Sequence, residues 1–306
     1  MVRSFFAVAA LALLGAGCKP DFGTPASLVT DKRILAVRAE PPEVHPTMAA
    51  TFTALVVSPD GTEMAPALDW ALCLAPKPLD ENNVVSTTCV GSGASLMGVG
   101  STGPKVQVAM PANACALFGP DPPPQMPGMP ALRPRDPDVT GGYYQPLRLV
   151  EGQVTGFALE RVTCDLALAG ADLAVQYAAT YKANTNPKLT PLTATLNGAP
   201  GALTAIPAGK TVDFSVGWSA DSVESFPVFD LTAAALVTHR ESMRVSWFAS
   251  DGSFEHEITG RGEEETLTTT DDNWTAPTKV GPVHLWVVLR DSRGGIDFAS
   301  YELVVQ

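Results

Sequence analysis

Charge is what this chain has least of. Only 17% of its 306 residues are charged, and bases are the scarcer sign, 20 against 32 acids, for a formal net charge of −12. A chain of that sign repels phosphodiester backbones and anionic headgroups alike, so no nucleic-acid partner is expected. Histidine is scarce too: His45, His239, His256 and His284 are scattered, and no CxxC pair accompanies them to frame a metal site. The common catalytic motifs are missing, with no GxSxG elbow, HExxH, SxxK or P-loop. GVGSTG (98–103) spells GxGxxG, but Pro104 and a strand-like run follow it where a dinucleotide fold opens a helix. No catalytic residue, metal or cofactor is therefore expected, and the chain reads as a non-enzyme. Long apolar runs are absent as well, since nothing beyond residue 14 approaches the ~20 residues a membrane helix needs.

What is present begins at the N-terminus. Arg3 gives a positive start, FFAVAALALL (5–14) is an uncharged apolar run too short to span a bilayer, and GAGC (15–18) runs small residues into a cysteine. This pattern resembles the lipobox of bacterial lipoproteins, although Gly15 stands where Leu is commonest. The resemblance implies a signal peptide over 1–17, cleavage before Cys18, and a diacylglyceryl thioether with a further acyl chain such as palmitate on that residue. Two or three acyl chains anchor a protein stably without a spanning helix. Lys19, not Asp, follows the cysteine, which by the sorting rule of well-studied envelopes points to the outer membrane. The polar, turn-rich segment 18–32 reads as a tether.

Cys73, Cys89, Cys115 and Cys164 remain, an even number suited to an oxidising compartment. Of the three possible pairings, Cys73–Cys89 with Cys115–Cys164 is expected, because each closes a loop within one region of the chain. Glycine (26) and proline (27) are abundant, and short alternating apolar runs lie between their turns. In 33–61, Ile34 and Ala36 alternate with Leu35, Val37 and Ala39, and Phe52, Ala54 and Val56 line a second strand. Leu68, Trp70 and Leu72 share a face further on. Residues 33–111 accordingly predict a first β-sandwich.

The proline-dense run 119–138 can be neither helix interior nor central strand. ADLAVQYAATYK (171–182) is the one expected helix, with Leu173, Tyr177 and Tyr181 as a stripe that packs on a neighbouring sheet and Asn184, Asn186 and Pro187 as its stop. Residues 112–189 thus read as a Pro-rich connection with a helical insert. From 190 to 306 the β pattern is strongest. Val212, Phe214 and Val216, then Met243, Val245 and Trp247, then Val283, Leu285, Val287 and Leu289, and lastly Tyr301, Leu303 and Val305 each share a face. WTAP (274–277), Gly281, the strand VHLWVVLRD and the turn SRGG (292–295) resemble the terminal strands of bacterial Ig-like domains of the PKD type. The opening strands of 33–61 and 190–218 also echo each other. The fold class expected is mainly β: tandem Ig-like antiparallel sandwiches, with the Pro-rich connection and one short helix between them.

Two features invite a functional reading. The stretch 251–272 gathers eight acids around His256, which suits either a calcium site or solvated charge that keeps a sheet edge soluble, and the lack of DxDxDG spacing favours the second. Trp286 falls opposite Leu285 and Val287, so it either packs on the neighbouring module or stacks on a sugar ring. The function expected is that of a lipid-anchored envelope protein, structural or protein-binding through its Ig-like modules, with an accessory polysaccharide-binding role through Trp286 as the alternative.

Overall fold

A computed structural model describes residues 23–76, 85–118, 127, 141–164, 166 and 169–306. Cys18, the signal segment and most of the Pro-rich run lie outside the described residues. The chain is 50% strand and 8% helix, arranged as antiparallel β-sandwiches.

The N-terminal sandwich comprises β1 (Arg33–Glu40), β2 (Glu43–Val44), β3 (Ala49–Ser58), β4 (Gly61–Thr62), β5 (Asp69–Cys73), β6 (Leu96–Gly98), β7 (Lys105–Ala109), β8 (Gly142–Glu151) and β9 (Val154–Thr163). In one sheet β3 pairs with β1, β4 and β7, and the other runs β2-β9-β8-β5-β6. Phe52, Val56, Leu68, Trp70, Leu72, Leu147 and Leu149 fill the space between them, each less than 2% exposed.

The alternation expected of β1 breaks at a bulge. Ile34 faces Val56 and Ala36 faces Leu55, so Leu35 is an extra residue in the ladder. Ile34, Val37 and Ala39 consequently turn to the sandwich core, while Leu35 and Ala36 turn outward to a separate cluster.

The hairpin β8–β9 corrects the expected boundary. Residues 142–163, assigned above to the connection, are central to the second sheet, with Asp69 to Leu72 of β5 paired to Val150 to Leu147 of β8. Buried polar residues within these strands (Gln145, Arg148, Glu160, Arg161) hide their apolar alternation. Pro146 hides it further, since proline cannot donate to a ladder. Here the Gln145 amide supplies a donor instead, with Nε2 2.6 Å from the Cys73 carbonyl oxygen.

Both expected disulfides form, Cys73–Cys89 and Cys115–Cys164, with Cα–Cα separations of 5.6 and 5.7 Å. The loops closed span 16 and 49 positions. In the chain-entropy account these are worth ~3 and ~4 kcal/mol. A five-residue helix not expected from the sequence, α1 (Ala114–Phe118), carries Cys115 to its partner.

The helix expected at 171–182 is α2 (Ala171–Thr180), and the Tyr181 N–H caps it on the Tyr177 carbonyl at 2.8 Å. The C-terminal sandwich follows with β10 (Thr193–Leu196), β11 (Ala199–Pro200), β12 (Thr211–Gly217), β13 (Ser225–Asp230), β14 (Ala235–Arg240), β15 (Met243–Ala249), β16 (Ser253–Phe254), β17 (Ile258–Arg261), β18 (Thr269–Thr275), β19 (Gly281–Asp291) and β20 (Ile296–Val305). Its sheets run β11-β10-β12-β18-β16 and β17-β15-β19-β20, and β13–β14 is a separate hairpin. The apolar faces read from the sequence all point into one core with Phe214, Trp247 and Trp274 at 0% exposure. The tyrosine stripe of α2 packs on the hairpin, with Tyr177 buried beside Phe229 and stacked on Tyr181 at 4.8 Å.

The segment read as a tether is in part docked. Val29 is fully buried, its N–H bonds the Ala249 carbonyl at 2.8 Å, and the Ala249 N–H returns to Ser27 at 2.9 Å. A stretch that precedes the first sandwich is thus an added strand segment on the second.

Candidate functional site

The two sandwiches pack side on. The outer face of β15, β19 and β20 lies against the outward residues of β1 and β3, burying Trp286, Val288, Leu35, Ala36, Leu55 and Val57 with Val29. Trp286 is 1% exposed and its Nε1–H donates to Thr62 Oγ1 at 2.9 Å. The sugar-stacking role considered for Trp286 is thereby overturned, because both ring faces are enclosed by protein. Its period-2 placement opposite Leu285 was correct, but the face it occupies is an interface.

Beside this apolar contact sits a buried polar clasp. Glu43 of β2 is ion-paired with Arg161, Nε lying 3.2 Å from its carboxylate, and accepts from Tyr181 Oη at 2.7 Å, the Asn184 N–H at 2.8 Å and Thr163 Oγ1 at 2.8 Å. Across from it, Arg293, 2% exposed, donates to Glu241 at 2.7 Å, to Glu224, and to the Lys182 carbonyl at 2.9 Å. Burial opposes the charge on Arg293, yet Glu241 and Tyr181 outweigh it and raise its pKa. Burial and the nearby Asp291 push Glu241 up to about 7 against the pull of Arg293. The linker supplies the rest. Asn184 Nδ2 donates to Asp291 at 3.2 Å, while Asn186 Nδ2 reaches the Ala39 carbonyl at 2.6 Å and its Oδ1 accepts from the Ile296 N–H at 2.8 Å. Residues that read as a helix stop are also what sews the linker to both sandwiches.

Removing Arg293 should therefore unlock the junction. Arg293→Met leaves Glu241 and Glu224 without their cation, and breaking a buried pair on one side costs about 3–5 kcal/mol. Urea unfolding should show an unfolding free energy lower by that amount, and Arg293→Lys should recover only part of it because ammonium lacks the planar fork. A loss under about 1 kcal/mol for the Met variant would show that the clasp does not hold the sandwiches.

Where the clasp ends, the sandwiches diverge into a cleft of about 380 Å³. Ile34, Phe157 and Leu159 line one wall; Ile296, Arg244 and Arg290 line the other. Arg244 and Arg290 are directly opposed in the β15–β19 ladder. Arg290 donates to the carbonyl of the bulged Leu35 at 3.0 Å and to Ser246 Oγ at 3.4 Å, and burial together with Arg244 lowers its pKa to about 10.

The acidic stretch 251–272 brings Glu255, His256 and Asp272 together, with ligand atoms within 4.8 Å of one another. No other described residues form such a group of three. Asp272 is buried, which raises its pKa, and its oxygens already accept from the His256 backbone N–H and ring Nδ1 at 3.1 Å. Glu255 accepts from Asn273 Nδ2 at 2.8 Å. These hydrogen bonds tie the β16–β18 connection together. GVGSTG passes from β6 into β7, and the Gly103 carbonyl accepts from Trp70 Nε1 at 2.9 Å, a packing role. Among the described residues no helix is long and apolar enough to cross a membrane.

No protein-family model matches the sequence, and no curated protein matches it significantly. Solved structures give distant likenesses. The adhesin InvE of Yersinia pseudotuberculosis aligns over 88% of this chain and 58% of its own, at 8% identity and a TM-score of 0.24. The chain thus spans under two thirds of that adhesin's length. A chimeric titin Z1Z2 carrying an exogenous decorin peptide aligns over 91% of this chain and 98% of its own, at 10% identity and a TM-score of 0.20. Escherichia coli alpha-2-macroglobulin aligns over 93% of this chain and 22% of its own, at 9% identity and a TM-score of 0.23. Likenesses this faint carry no argument about function.

Proposed function

We propose that this chain is a non-enzymatic lipoprotein of a bacterial cell envelope, anchored through Cys18 in the outer membrane, that presents two Ig-like sandwiches, the second of PKD-like kind, as a structural or protein-binding element. One observation carries the reading: four of the five cysteines are consumed in two disulfides, leaving Cys18 alone behind a signal-like run. Disulfides belong to oxidising compartments, and a lipobox cysteine is the one that stays outside them. The welded junction supports the structural part. A linker hydrogen-bonded to both sandwiches, with Trp286 sealed between them, makes the pair one stiff body rather than beads on a string. Stiff paired sandwiches keep strand edges and end loops in fixed register, which suits recognition of another protein.

Mild crosslinking of intact envelopes followed by affinity capture of the full chain tests this. A reproducible envelope protein, lost when the two sandwiches are loosened by Arg293→Met, is the expected result. Repeated capture without any protein partner would count decisively against a binding role.

A further inference from the structure

We propose that the cleft between the sandwiches is a binding site for a small monoanion with an apolar body, an aliphatic or aromatic carboxylate whose head sits between Arg244 and Arg290. Like charges directly opposite in a ladder repel each other, so this arrangement is unfavourable while nothing lies between them. Among the described residues no acid pairs with them: Arg244 is exposed and makes no ion pair, and the Arg290 side chain donates only to a carbonyl and a hydroxyl. The single acid lining the cleft, Asp291, has its carboxylate occupied by Asn184 Nδ2 and by the backbone N–H groups of Arg293 and Gly295. Among the described residues these are the one pair of arginines set directly opposite each other in a ladder, a juxtaposition that a bound carboxylate would explain.

The remaining geometry fits the same ligand. Planar guanidiniums recognise carboxylates through paired N–H donors, and the bulged Leu35 carbonyl holds Arg290 in place while leaving most of its donors free. Two arginines and one aspartate leave the cleft one positive charge, which a monoanion neutralises and a dianion would exceed. The facing wall of Ile34, Phe157 and Leu159 offers hydrocarbon and aromatic surface to the ligand's body. A volume of about 380 Å³ lies within the range of small-molecule sites. This site is independent of the lipid anchor and of any protein partner, so its failure would leave the proposed function standing.

Equilibrium dialysis of isotope-labelled octanoate against the purified full chain tests it, with octanol as the neutral counterpart. The expected result is saturable binding of one octanoate per chain, weakened about tenfold or more in Arg244→Gln, with octanol uptake the same for both proteins. Among the described residues the Arg244 side chain makes no ion pair or hydrogen bond, and its removal relieves the repulsion on Arg290, so that variant should melt at or slightly above the wild-type temperature. Absence of saturable octanoate binding, or equal affinity in wild type and Arg244→Gln, would overturn the assignment. Partition into detergent or the core cannot imitate the expected result, because it would not distinguish the two proteins.

Discussion

Replacing Cys18 with Ala should release the whole protein from the membrane fraction while leaving its fold intact. The thioether requires the Cys18 sulfur, and no other thiol can substitute, because Cys73, Cys89, Cys115 and Cys164 are spent on each other. Retention on a bilayer depends on having more than one acyl chain, so losing the lipidated residue removes the anchor rather than weakening it. The folded body should not register the change. Ser27 to Val29 dock against Glu257 and Ala249, nine or more residues after the cysteine. Detergent-phase partitioning, uptake of labelled palmitate and a thermal melt check the three parts. Wild type that incorporates no palmitate, or Cys18→Ala that stays with membranes, would sink the lipoprotein assignment and the envelope location with it.

Much of the fold was legible because period-2 alternation reports burial wherever both sheets of a sandwich contribute apolar residues. Val212, Phe214 and Val216, or Val283, Leu285 and Val287, could be placed on the core face from spacing alone. The failures share one physical cause: local pattern cannot register a residue buried by a polar or inter-domain partner. The hairpin 142–163 hides from pattern reading because Gln145, Arg148 and Arg161 are buried in strands with partners distant in sequence, while Glu160 is buried with its proton retained. Trp286 was placed on the correct face, but which surface covers that face depends on how the sandwiches dock. The bulge at Leu35 is a one-residue offset that no composition signals, yet it positions the carbonyl that holds Arg290. The cleft was invisible for the same reason, since Arg244 and Arg290 are 46 positions apart and meet only through the β15–β19 register. A weak signal existed in the linker: Asn184 and Asn186 are side-chain donors as well as helix breakers, and both properties are used.

The protein should lose stability as pH rises from neutral to about 9, and Glu160→Gln should abolish that loss. Glu160 is fully buried on the core face of β9, between Ala158 and Val162, and neither carboxyl oxygen has a hydrogen-bond partner. Burial, reinforced by the charge of Glu43, pushes its pKa up to about 9. At low pH the proton is bound in both folded and unfolded chains and contributes no difference. Above ~4.5 the unfolded chain ionises freely while the folded chain keeps its proton, so each further pH unit favours unfolding by up to ~1.4 kcal/mol until the folded pKa is reached. The whole window amounts to roughly 6 kcal/mol. Glu241 contributes with the same sign but only up to about pH 7, so the interval from pH 7 to 9 isolates Glu160. Glutamine fits the site because Gln145, directly opposite in the β8–β9 register, has an Oε1 without a donor, which either a protonated carboxyl or an amide can supply. Chemical denaturation at pH 7, 8 and 9 should show wild type falling by about 2–3 kcal/mol and Glu160→Gln staying level. Parallel curves for the two proteins would mean that Glu160 is already ionised in the folded state and that the core tolerates its charge.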